Sequence, residues 1–107
     1  MTTFDKREDA FEGRFAHDET TQFRALARRN RFLAEWAAEK LGLNTEDAAS
    51  YAAAMVDADL SAAVDEEVFR RLRTDFDAAG VVQSDHQIRR TMEQYMQKAL
   101  QDIRERA

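Results

Sequence analysis

Arg24, Arg28, Arg29 and Arg31 form a basic cluster with no acidic residue among them. A guanidinium is a planar fork of N–H donors that matches a carboxylate or a phosphate. Two readings follow. The cluster can pair with the acidic faces of neighbouring helices, or it can be a patch for an acidic partner or a phosphate. The second allows a helical module that takes nucleic acid, or weakly takes a nucleotide, through these arginines. The formal net charge of −5 argues against general nucleic-acid or membrane-surface binding, so no nucleic acid and no membrane insertion are expected. Catalytic chemistry finds less support. Ser50, Ser61 and Ser84 stand in helix or cap contexts that need no reaction to explain them. His17 and His86 are the only histidines, and neither closes a Glu-x-x-His pair of the kind that builds a metal site in a bundle. There is no cysteine, which removes thiolate ligands and disulfides, and three separate glycines do not make a phosphate-cradling loop. The chain is expected not to be an enzyme and to need no cofactor or metal.

The elements that must position these side chains are helical. The 107 residues contain no proline, 44% apolar residues and 35% charged residues, the composition of a single all-α domain. No strand-length segment alternates with period two. A first helix is expected to start from a cap at Thr20 or Thr21 and to stop at Gly42. Its apolar side would be Phe23, Leu26, Leu33, Trp36, Ala37 and Leu41, with Asn30 at the edge as a buried hydrogen-bonding group. Asn44 or Thr45 opens a second, alanine-rich helix running to about Leu60. Either Tyr51, Met55 and Ala58 or Ala52, Val56 and Leu60 face inward. The third helix begins near Asp65, with Val68, Phe69, Leu72, Phe76 and Ala79 at three- and four-residue spacing. Gly80 ends it, with Val81 packing back. Ser84 to Gln87 is a capping box for the fourth helix, whose core face is Ile88, Met92, Tyr95, Ala99 and Ile103. The expected fold is a small four-helix bundle over residues 19–107 with a flexible N-terminal segment over 1–18.

That N-terminal segment has its own pattern. Phe4, Phe11 and Phe15 fall within a stripe roughly 40° wide at 100° per residue of α-helix. Counted as one helix to Leu41, the run would be about 55 Å long, and the three later helices, roughly 22 to 33 Å each, cannot cover its front. Solvated leaders normally lack aromatic residues. The spacing therefore predicts a segment that is frayed alone, where Gly13 costs about 1 kcal/mol of helix, and helical when its rings are buried against a partner. The start of the chain has no apolar signal core and no stretch long enough to span a membrane, so a cytoplasmic location is expected.

Several of these residues form an ordered series: Phe11-Glu12-Gly13-Arg14-Phe15-Ala16-His17-Asp18, then Ala27-Arg28-Arg29-Asn30, then Trp36-Ala37-Ala38. With Phe69 and the Asp85-His86-Gln87-Ile88-Arg89 run, the series resembles the zeta-subunit family of inhibitors of the alphaproteobacterial F-type ATP synthase. The resemblance covers essentially the whole chain. It implies a four-helix bundle with a mobile inhibitory segment that inserts at a catalytic interface of the synthase head and blocks ATP hydrolysis. The implied partners are the alpha, beta and gamma subunits of that head, with the protein peripheral to the inner membrane when bound. On this chain the resemblance places partner binding at Phe4, Arg7, Glu8, Phe11, Glu12, Arg14 and Phe15.

Overall fold

A computed structural model describes residues 18–57 and 64–106. They form an all-α four-helix bundle: α1 (Glu19–Leu41), α2 (Thr45–Val56), α3 (Val64–Ala79) and α4 (Asp85–Arg106). No strand occurs among the described residues.

The helix ends show why the chain breaks where it does. At the start of α1, Asp18 is extended (φ −63°, ψ 129°), and its carboxylate accepts from the Thr21 backbone N–H at 2.9 Å and from the Thr21 hydroxyl at 3.0 Å. The cap is thus Asp18 rather than Thr20 or Thr21, and Thr21 is the residue it holds. A charged acceptor three residues before Thr21 satisfies the orphan N–H and also meets the positive end of the helix dipole. The continuous run from Phe4 to Leu41 drawn from the apolar spacing is therefore broken at residue 18.

Gly42 closes α1 at φ +69°, a conformation that costs glycine little, and the Leu43 N–H returns to the Ala38 carbonyl at 3.0 Å. Gly80 does the same for α3, with the Val81 N–H on the Phe76 carbonyl at 2.9 Å. Asn44 caps α2 through the Asp47 N–H at 2.7 Å. At α4 the capping box closes in both directions: the Gln87 N–H donates to the Ser84 hydroxyl at 3.1 Å and the Ser84 N–H to the Gln87 side chain at 2.8 Å. The second helix ends at Val56, with Asp57 as its cap, and not near Leu60; Ala58 and Leu60 lie outside the described residues.

α1 is the spine. It packs chiefly on α4 and α2, and the Arg28–Asp102 and Phe32–Tyr95 contacts set α1 and α4 antiparallel. The main core joins Leu33, Ala34 and Ala37 of α1 to Met55, Val64, Val68, Leu72, Phe76, Ile88 and Met92. Trp36 stands edge-on to Phe76, ring centroids 5.3 Å apart. A smaller cluster of Ala25, Ala99 and Ile103 carries the packing toward the other end of α1, where the alanines allow close helix approach. Two expected core positions are on the surface. Phe23 is 55% exposed, and Ala79 is exposed in the last turn of α3.

Polar ties hold the helices in register. The Tyr51 hydroxyl donates to Asp75 at 2.6 Å, joining α2 to α3. Burial first, and then the neighbouring Asp75 carboxylate, push the Tyr51 pKa up, so the phenol stays protonated. Arg73 spans Asp77, the Gln83 carbonyl and Asp85, pinning the α3–α4 turn. Arg89 lies over the Phe69 ring at 3.9 Å and meets Glu66 at 2.9 Å.

Candidate functional site

The basic cluster on α1 separates into two groups in three dimensions. Arg24, Arg28 and Arg31 recur every three to four residues, so they share one face of the helix. Arg29 is rotated about 100° from Arg28 and lands on the packed side.

The packed group is Arg29 and Asn30, which are 3% and 0% exposed. Asn30 donates from Nδ2 to the Met55 carbonyl at 3.3 Å. That carbonyl lies in the last turn of α2, where intrahelical donors run out. The Asn30 Oδ1 accepts from Arg29 Nε at 3.2 Å and Nη2 at 3.0 Å. Arg29 Nη1 then reaches the Asp65 carboxylate in the first turn of α3. One knot on α1 thus holds the end of α2 and the start of α3. No buried side-chain nitrogen or oxygen among the described residues lacks a partner, the condition under which a buried polar network is tolerated. The predicted hydrogen-bonding role of Asn30 holds, while Arg29 leaves the patch assigned to it.

The open group lines a groove of about 800 Å³. Arg24, Arg28 and Arg31 of α1 and Arg106 of α4 form its rim, and Ala27, Phe32, Val56 and Ile103 its apolar floor. Arg28 lies 3.8 Å from Asp102 in a part-exposed pair, and Arg31 3.5 Å from Glu35 in an exposed one. Such pairs contribute little and are easily exchanged. Arg24 is exposed and has no ion-pair partner among the described residues. Arg106 was not singled out in the sequence, because it comes to the rim only through the antiparallel pairing of α1 and α4. A second hollow, of about 520 Å³, continues from Arg24 and Ala27 past Phe23 to Thr20 and Glu19.

Phe4, Arg7, Glu8, Phe11, Glu12, Arg14 and Phe15, assigned to partner binding, lie outside the described residues. No cluster of three or more His, Asp or Glu side chains able to hold a metal ion occurs among the described residues.

Fold and site together define a small all-α bundle with a polar knot on the packed side of its first helix and an arginine-rimmed groove on the open side. The chain belongs to the ATPase inhibitor subunit zeta family, whose model matches residues 1–102, nearly the whole length. A comparison with curated proteins finds no match.

Proposed function

We propose that the protein is a non-enzymatic inhibitor subunit of the F-type ATP synthase, with residues 1–18 as the inhibitory segment and 19–107 as its carrier. In this reading the segment enters a catalytic interface of the head, among its alpha, beta and gamma subunits, and blocks ATP hydrolysis. The observation that carries the division is the capped start of α1 at Asp18. The bundle begins with its own helix signal, while the family match runs from residue 1. In this reading the stripe of Phe4, Phe11 and Phe15 belongs to an element separate from α1. A helix that lays such a stripe into a groove gains apolar burial and loses chain entropy on ordering. Phe4, Phe11 and Phe15 are the anchors, and Arg7, Glu8, Glu12 and Arg14 the flanking charged contacts. No described helix is long and apolar enough to cross a membrane, which fits a subunit bound to the head in the cytoplasm, peripheral to the inner membrane.

The test is an ATP hydrolysis assay on the isolated synthase head. The full chain is expected to inhibit, and a chain beginning at Asp18 is expected to melt like the parent without inhibiting. Equal inhibition by the two would place the activity in the bundle.

A further inference from the structure

We propose that the arginine-rimmed groove is a docking site for an acidic amphipathic helix of a partner protein. It is a surface distinct from the N-terminal segment.

The first argument is the row. Arg24, Arg28 and Arg31 stand at i, i+4 and i+7 on one face of α1, so their roots span about 10 Å along the axis. A single phosphate is met by guanidiniums that converge on one point. A row at helical spacing instead matches carboxylates at the same spacing on a helix laid alongside. The second argument is the floor. Ala27, Phe32, Val56 and Ile103 give the partner's apolar stripe a surface beside the charges, the arrangement of helix-in-groove recognition. Phe32 is held in place by the Tyr95 ring at 5.6 Å and by the Lys98 ammonium over its face at 4.4 Å.

The third argument is charge. The chain is acidic as a whole, yet this groove presents Arg24, Arg28, Arg31 and Arg106 against one lining carboxylate, Glu35. Asp102 offsets Arg28 only at 3.8 Å. A locally positive groove on a negative protein selects acidic partners and orients them as they approach. The neighbouring Phe23, 55% exposed, continues the apolar surface beyond Arg24 and Ala27.

The test uses two helical peptides of about 20 residues, long enough to hold a helix. One carries glutamates at i, i+4 and i+7 beside a leucine stripe; the other has glutamine at those positions. The full chain is expected to bind the glutamate peptide roughly tenfold to a hundredfold more tightly than the glutamine peptide at low salt, with the difference shrinking as salt rises. The variant Arg24→Gln/Arg28→Gln/Arg31→Gln is expected to lose that preference while keeping the parent's melting temperature. Arg24→Glu alone, at a side chain without an ion pair among the described residues, should weaken glutamate-peptide binding and guards against a folding defect in the triple variant. Equal binding of both peptides, or of neither, overturns the proposal. So does ATP raising the melting temperature of the parent but not of the triple variant while neither peptide binds, which would show a site for a compact anion. None of these outcomes depends on whether the chain inhibits the synthase.

Discussion

Arg28 and Arg29 are neighbours in sequence and occupy opposite kinds of environment. Arg29 is sealed between three helices, with its guanidinium shared by Asn30 and Asp65. Arg28 lies on the groove, part-exposed, with Asp102 at 3.8 Å. The same residue type therefore does two jobs one position apart. On the packed side it fixes where α2 ends and α3 begins. On the open side it remains available to a partner. The rotation of about 100° per helical residue is sufficient to separate them. A run of basic residues on a helix is thus not one patch until the helix is rotated into place.

Substitutions on the two sides of α1 should separate sharply. Leu33→Ala, on the packed side at 0% exposure, is expected to cost about 2 to 5 kcal/mol, much of the stability of a domain this small. Thermal melting should show it as a loss or large fall of the cooperative transition. Asn30→Ala comes next. It removes the side-chain donor to the Met55 carbonyl and the acceptor of Arg29 Nε and Nη2 in a buried setting, leaving Arg29 only its Asp65 partner, at about 1 to 3 kcal/mol. Urea unfolding should show the midpoint falling with little change of slope. A neutral result for Asn30→Ala would make the knot incidental and dissolve the contrast.

A smaller, local effect is expected at the start of α1. The Thr21 backbone N–H, and then its hydroxyl, hold the Asp18 carboxylate below its ordinary pKa. A depressed carboxylate stabilises the fold above the unfolded value of about 3.9, and the contribution fades as pH falls through the lower folded value. Acid should therefore expose the Thr21 amide before the rest of the bundle, read by its exchange or chemical shift. Asp18→Asn keeps an acceptor without the charge and should flatten that dependence. The smallest effect is expected on the open side: Arg24→Gln should shift stability by no more than about 0.5 kcal/mol in the same urea experiment. A larger loss would show that the groove face supports the fold.

The number of helices, four of their stops and starts and most of the core were legible in the sequence. Gly42, Gly80, Asn44 and the Ser84–Gln87 box act through local geometry that the chain spells out. Asp18 was missed because aspartate and threonine both cap, and three such residues lie within four positions. Phe23 was misplaced because hydropathy favours a large ring, whereas the packed stripe of α1 is built from Ala25, Arg29, Asn30, Leu33, Ala34, Ala37 and Ala38. Small residues pack through close helix approach and polar ones through partners on other helices, and neither shows in a count of apolar side chains. The groove was half legible. Its three α1 arginines are visible by spacing, but Val56, Ile103 and Arg106 join them only through tertiary contact.

The central claim is that inhibition resides before Asp18 and stability after it. The most direct measurement pairs ATP hydrolysis by the synthase head with thermal melting, for the parent, Phe11→Ala and Phe15→Ala. Burial of one phenylalanine contributes about 1.5 to 3 kcal/mol, so each variant should inhibit roughly tenfold to over a hundredfold more weakly. Their melting temperatures should equal the parent's. Parent-like inhibition by both variants, or a melting temperature that falls along with the inhibition, would contradict that division.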